Sequence, residues 1–235
     1  MSESSCYVLL HSPLVGPASW RWVAAVMRDQ GYEVLVPDMT GFHLAGAPYW
    51  PTYVDGVLAG ISTDRPIQLV AHSGAGLLLP VVADRLADQV EALIFAEAAL
   101  PPWTGSATLA PAAMRSQLER MAVFGILPAW SKWWGDDAMD TLVPEPGRRA
   151  AMEAELPTLP LDYFDQVVPM PDGWADKVAG SYLWFSDVYE DDATRAADHG
   201  WPISRLSGGH LHMAVDPEAV ALTLLGLAID SDKSR

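Results

Sequence analysis

The residue best placed to do chemistry is Ser73, within the stretch Leu69-Val70-Ala71-His72-Ser73-Gly74-Ala75-Gly76. The apolar run Ile67 to Ala71 before it has the make-up of a strand buried on both faces. The run after it, Leu77 to Leu86, keeps its apolar positions and reads as a helix. Only small residues, Gly74-Ala75-Gly76, follow the serine before that helix, so strand and helix are expected to meet in a sharp turn with the serine exposed on it. A serine hydroxyl is a poor nucleophile until a base takes its proton. The competing reading is structural, because a serine after a strand is often a helix cap. This stretch alone leaves both readings open.

The rest of the chain must position such a serine. Its 235 residues, half of them hydrophobic, suit one domain with a sizeable core. Lys and Arg number 14 against 30 Asp and Glu, a net charge of -16. Such a chain lacks the basic patch that displaces counterions from phosphates, so no nucleic acid is expected as a partner. Anionic membranes would repel it, and its acidity reads as a solubility feature. Cys6 is the sole cysteine, which rules out an internal disulfide framework. Met1 to Ser5 is polar, and neither a signal segment nor an apolar run of membrane-spanning length is seen. The expectation is a soluble, cytoplasmic monomer or homodimer.

Strand and helix patterns alternate. Tyr7–Leu10, Tyr32–Val36, Ile67–Ala71, Val90–Ala96, Ser181–Ser186 and Ile203–Leu206 read as strands. A helix follows Ser19, with Trp20, Trp22, Val23, Val26 and Met27 on one face and Gly31 at its end. Further helices are expected over Tyr53–Ile61, Leu77–Leu86, Asp191–His199 and Pro217–Ile229. This alternation predicts an α/β fold, a mostly parallel sheet with helices on both faces. The rhythm pauses from Pro101 to about Pro171. Helices are expected there over Ala110–Val123 and Gly147–Glu155, with no strand of comparable quality. Trp103, Trp130, Trp133 and Trp134 all fall in this segment. It reads as a helical lid, roughly 101–171, over the strand ends where open α/β sheets bind ligands. An ordinary packing layer is the plainer alternative.

With these elements in order, the chain resembles the α/β-hydrolase superfamily over nearly its whole length. It looks most like small bacterial members akin to plant methylesterases and hydroxynitrile lyases. The matching blocks are His11 to Gly16 with Trp20, the elbow Ala71 to Ala75, and Gly209-His210 with Met213, Asp216 and Pro217. The family elbow is G-x-S-x-G, and alanines replace both glycines here. The family order of serine, acid and histidine is present.

The resemblance implies Ser73 as nucleophile and His210 as its base, with His212 as competitor. It offers two acids. Most relatives carry theirs after the strand Ser181–Ser186, which nominates Asp187 and, less well, Glu190. Others carry it one strand earlier, which nominates Glu97. Glu97 is preferred, because it ends the apolar run Leu93-Ile94-Phe95-Ala96, where a carboxylate is costly to bury unpaired. Asp187 opens an acidic run that reads as a solvated helix start. His72 fills the variable elbow position, His11 is expected to hold the first loop, and His43 and His199 sit in polar surroundings, with His43 near enough to reach the pocket.

An oxyanion hole needs two donors. Gly74 supplies one. The residue at the second position is Pro13, which has no N–H. Either Leu14 donates instead, or the Ser12 hydroxyl does, or the hole is incomplete. Gly74, Ser12, Leu14, Trp103 and Trp133 are therefore the expected substrate-binding residues. The leading reading is a serine hydrolase for a small or medium apolar ester, thioester or lactone. A non-hydrolytic lyase, cyclase or epimerase using the same Ser/His pair is the alternative, and a binding protein with lost catalysis the third. No cofactor is implied: Gly74 and Gly76 lack the rest of a dinucleotide fingerprint. His210 and His212 are too few for a zinc set.

Overall fold

The computed structural model describes residues 5–135 and 137–232, with side chains to residue 227. Most of the polar lead-in at residues 1–5 therefore lies outside the described residues.

The expected alternation forms one sheet. Strands β1 (Cys6–Leu10), β2 (Glu33–Leu35), β3 (Ile67–Ser73) and β4 (Val90–Ala98) are interleaved with helices α1 (Arg21–Asp29), α2 (Tyr49–Ala59) and α3 (Leu79–Leu86). An insertion follows β4. It carries the short strands β5 (Ser106–Thr108), β6 (Ile126–Leu127), β7 (Leu159–Pro160) and β8 (Val167–Pro169), with helices α4 (Ala112–Met121), α5 (Ala138–Leu142) and α6 (Pro146–Glu153). Helix α7 (Trp174–Lys177) leads back to the sheet. There β9 (Ala179–Trp184), α8 (Glu190–Asp198), β10 (Ile203–Arg205), α9 (His212–Val215) and α10 (Pro217–Asp232) complete the chain.

The sheet order is β2-β1-β3-β4-β9-β10, and every pairing in it is parallel. The central strands are buried on both faces, which is why apolar residues dominate their sequences instead of alternating with polar ones, Gln68 and Glu91 near the strand starts excepted. Trp20, Tyr53, Phe95, Tyr182 and Phe185 are the largest fully buried side chains. Removing such a side chain from water stabilises the fold by about 1.5–3 kcal/mol. On α1 the buried residues Val23, Ala24 and Met27 form the inner stripe, and Gly31 just past its end has φ +90°.

Two strands run further than their apolar residues suggest. β3 continues through His72 and Ser73, and β4 through Glu97 to Ala98. The ladder between them carries these polar residues, so hydrophobicity alone marks the strand ends too early.

The segment expected to hold no strand of comparable quality contains four short ones, of two or three residues each. β5 pairs antiparallel with β8, and β6 with β7, so the insertion leaves and re-enters through nested two-stranded ladders. Strands of two or three residues show no periodicity in sequence, which is why they escaped the pattern. Side chains fasten the insertion to the sheet domain. Gln166 Oε1 accepts the N–H groups of Tyr49 and Trp50 at the start of α2 (2.8 and 3.2 Å). Glu155 accepts from Ala18 N–H at 2.6 Å and from Arg21 at 3.1 Å.

Candidate active site

Ser73 is the last residue of β3, with φ 56° and ψ −130°. This is left-handed territory that a side chain other than glycine's enters only under constraint. The constraint comes from both sides. Ala99 N–H bonds the Ser73 carbonyl at 3.1 Å, and a helical turn, Gly74–Leu77, starts at once. At Gly76 a Cβ would lie 2.2 Å from the Ala99 carbonyl oxygen, so the backbone of the turn touches the backbone after β4. Glycine is required at that position. Ala71 and Ala75, where the family pattern has glycine, are buried without conflict.

His210 follows β10 on a loop fixed by Leu206 N–H to Trp184 O and Gly208 N–H to Phe185 O. Its Nε2 lies 3.2 Å from Ser73 Oγ. Its Nδ1 faces Glu97 Oε1 at 3.8 Å, beyond hydrogen-bond length, and has no hydrogen-bond partner among the described residues. Glu97 is fully buried. Its carboxylate accepts from Phe185 N–H (2.7 Å), Ser186 N–H (3.0 Å) and the Ser186 hydroxyl. These donors satisfy the charge where no solvent reaches.

Glu97 owes its position to a break in register. Opposite β3, His72 pairs with Ala96 and Ser73 with Ala98, which leaves Glu97 as the extra residue of a bulge, at φ 48°. The Tyr182 hydroxyl donates to Ala98 O at 2.6 Å and accepts Ala98 N–H at 3.2 Å, fixing the strand just beyond the bulge. The other nominated acid is placed differently. Asp187 has a side chain 86% exposed and meets Arg205 at 3.4 Å. Glu190 is exposed in the first turn of α8.

Three rings surround the imidazole of His210. His72 packs at 4.6 Å between centroids, with its Nε2 3.0 Å from the His210 carbonyl. Burial holds His72 well below the usual histidine range, so it is neutral and donates to that carbonyl. Trp130, from the turn after β6, lies at 5.8 Å. Tyr189 stacks nearly parallel at 5.4 Å, and its hydroxyl lies 3.3 Å from Ser73 Oγ. Tyr189 is absent from the expected site residues. Its signal is position: it lies two residues after Asp187, the alternative acid that the sequence offers. His212, the competing base, packs instead against Phe185, with its ring over Gly208.

On the loop after β1, Ser12 Oγ accepts Leu14 N–H at 3.3 Å. A Cβ on Gly74 would lie 3.7 Å from both Ser12 Oγ and Pro13. The Ser12 hydroxyl thus sits beside the start of the elbow turn, and the Leu14 amide is already engaged. His11 holds this loop: Met39 N–H donates to its Nε2 (3.1 Å), and its Nδ1 bonds Ser12 O (2.9 Å). Burial lowers the His11 pKa, consistent with this neutral, bridging role.

No family model matches the chain. Over 102 residues it is 33% identical to a carbendazim hydrolyzing esterase of Nocardioides sp. (strain SG-4G), covering 40% of this chain and 42% of that protein. Over 109 residues it is 29% identical to esterase PIR7B of Oryza sativa subsp. japonica, covering 43% and 41%. The matched region is thus less than half the length of either relative. Solved structures match almost throughout. Pyrethroid hydrolase PytH superposes with a TM-score of 0.74 at 21% identity, covering 96% of this chain and 98% of that one. Tomato methylketone synthase I gives 0.75 at 17% (97% and 99%), and an extracellular α/β-hydrolase from Paenibacillus 0.73 at 18% (95% and 98%).

The chain has the α/β-hydrolase fold. Within that fold its aromatic residues divide into two groups. Trp130 is beside His210. Trp103, expected to line the pocket, is engaged elsewhere: it stacks on His199 (4.3 Å) and packs against Trp174 and Trp201 (5.5 Å each). The residues just after β4 are held by α8, where Asp192 accepts Leu100 N–H and Arg195 donates to the Leu100 and Pro101 carbonyls, and this directs Trp103 away from His210. Trp133 is buried, bonds Pro128 O at 2.9 Å and meets Phe164, which makes it part of the insertion's own core. Trp134 is 55% exposed. His43 borders a cavity of about 430 Å³ lined by Asp38, Thr40 and Glu155, among others. Among the described residues no helix is long and apolar enough to cross a membrane, and no group of three or more His, Cys, Asp or Glu could hold a metal ion.

Proposed function

We propose that this α/β-hydrolase-fold chain is a serine esterase for small or medium apolar esters, thioesters or lactones. The observation that carries the reading is the contact of Ser73 Oγ with His210 Nε2, with the buried Glu97 carboxylate behind Nδ1. Ser73 attacks the acyl carbon while His210 takes its proton. Glu97 keeps the imidazole in the tautomer that leaves Nε2 free to accept, and stabilises the imidazolium. The developing oxyanion is met by the Gly74 N–H and by the Ser12 hydroxyl. Ser12 suits that role because its oxygen already accepts Leu14 N–H, which leaves its proton to point elsewhere. A hydroxyl there compensates for the amide that Pro13 lacks.

The insertion at roughly 101–171 is read as the lid of this single domain, with Trp130 as its contribution above His210. An aromatic side chain at that place favours an apolar acyl or alcohol portion and helps to exclude water. The esterase names of the two sequence relatives agree with ester hydrolysis. One observation favours non-hydrolytic chemistry on the same residues: Pro13 leaves the backbone part of the oxyanion hole one donor short.

The test is fluorophosphonate labelling with mass spectrometry of the Ser73 peptide. Labelling at Ser73 that disappears in His210→Ala is the expected result. An unlabelled Ser73 in folded protein would overturn the reading.

A further inference from the structure

Ser73 Oγ has two polar neighbours, His210 Nε2 and Tyr189 Oη, and only one proton to give. When His210 acts as base it accepts that proton, so the phenol is the donor in its own contact with Oγ. Stacking of the Tyr189 ring on the imidazole puts this hydroxyl on the histidine's side of Ser73. Gly74, Ser12 and Pro13 gather together beside the elbow turn. The two sides of Ser73 have different jobs in acyl transfer. The oxyanion grows toward the elbow amide. The departing oxygen must form where His210 Nε2–H can reach it, because that group protonates it.

We propose that Tyr189 is a catalytic residue of this site, its hydroxyl donating a hydrogen bond to the oxygen that leaves as Ser73 is acylated. The assignment rests on Ser73 being the nucleophile. In this step the bond from Ser73 Oγ to the acyl carbon forms and the bond from that carbon to the leaving oxygen breaks. The proton of Ser73 passes to His210 Nε2 and then to the leaving oxygen, which departs as an alcohol. Tyr189 keeps its proton throughout. Burial suits it to this, pushing its pKa up to about 12, so the hydroxyl remains a donor. Its ring face also lies within reach of the imidazolium that forms beside it.

A donor aimed at the leaving oxygen matters most when that oxygen is most basic. The site is therefore suited to alkyl esters, whose alkoxides leave poorly, and Tyr189 matters less for activated aryl esters. The experiment compares wild type and Tyr189→Phe on alkyl, phenyl and p-nitrophenyl esters of one apolar acid. Phenylalanine keeps the stacked ring and removes only the hydroxyl. The expected result is a loss of kcat/KM of about tenfold or more on the alkyl ester, shrinking steadily toward the p-nitrophenyl ester. Fluorophosphonate labelling of Ser73 in the variant should persist, since fluoride leaves without that help. An equal loss on all three esters, or loss of labelling, would show a merely structural role and overturn the proposal. No loss on any of them would overturn it as well. A wild-type protein inert toward every ester would instead refute Ser73 as an esterase nucleophile, and this assignment with it.

Discussion

Strands β4 and β9 are neighbours, run parallel and both lead into a carboxylate, yet the two carboxylates have opposite fates. Glu97 sits inside β4 on a bulge, sealed from solvent and held by the N–H groups of Phe185 and Ser186. Asp187 follows β9 in a helical turn and points to water beside Arg205. The donors that hold Glu97 are the two residues directly after β9, Phe185 and Ser186. The later strand has become the cradle of the earlier strand's acid, and its own freed segment brings Tyr189 to Ser73 instead. A charged group near a site is thus defined less by its strand than by which backbone N–H groups remain to receive it.

This contrast should be widest in catalysis. Glu97→Gln should lower kcat by about 10³-fold or more, the scale expected when the group orienting a catalytic histidine loses its charge, while Asp187→Asn stays within about twofold. Steady-state rates on one ester measure both. Comparable losses from the two would dissolve the distinction.

The next effect is on stability. The close approach of the elbow turn to the chain after β4 leaves no room for a Cβ at Gly76. Gly76→Ala should destabilise the fold by about 1–3 kcal/mol, read from urea unfolding, with activity falling further as Ser73 shifts. A variant of wild-type stability would mean that the end of β4 yields more easily than the bulge implies.

The two tryptophan groups extend the comparison to the insertion. Trp130→Ala should raise KM about tenfold through loss of an aromatic contact worth about 1–1.5 kcal/mol. Trp103→Ala, remote from His210, should lower the Tm and leave KM within about twofold. Interchanged outcomes would return Trp103 to the pocket.

The smallest effect concerns pH. With its pKa at about 12, Tyr189 should cause no alkaline fall of kcat/KM up to about pH 10, since a raised phenol loses its proton only near its own pKa. An alkaline limb below that pH which vanishes in Tyr189→Phe would show an ionising phenol at Ser73.

The parts legible in the sequence share a physical cause. The central sheet strands β1, β3 and β4 are mostly apolar and buried, and Glu97 is noticeable because a carboxylate at the end of Leu93-Ile94-Phe95-Ala96 demands a partner. The structure brings Ser73, His210 and Glu97 together, as their order in the chain suggested. Tyr189 was not legible, because its contact depends on a helical turn folding back after β9 and on a hydroxyl at the end of a long ring. The Trp103 expectation failed for a related reason. Membership of an aromatic-rich segment says nothing about which end of it meets the sheet. Likewise β5 to β8 are set by pairing partners more than fifty residues apart for β5 and β8, not by local pattern.

The nested ladders have a consequence for how this architecture can vary. Chain enters the insertion through β5 and leaves through the adjacent β8, so the backbone between residues 108 and 167 passes through one narrow doorway, while Glu155 and Gln166 tie it sideways to the sheet domain. Closing a longer loop across a fixed doorway costs only about 0.6 kcal/mol for each doubling of its length. Segments there that keep clear of Trp130, Glu155 and Gln166 can therefore be lengthened, shortened or exchanged with little effect on the elbow, the bulge or the histidine loop. In such a chain, the range of molecules admitted and the chemistry performed on them are separable traits, and can be changed one at a time.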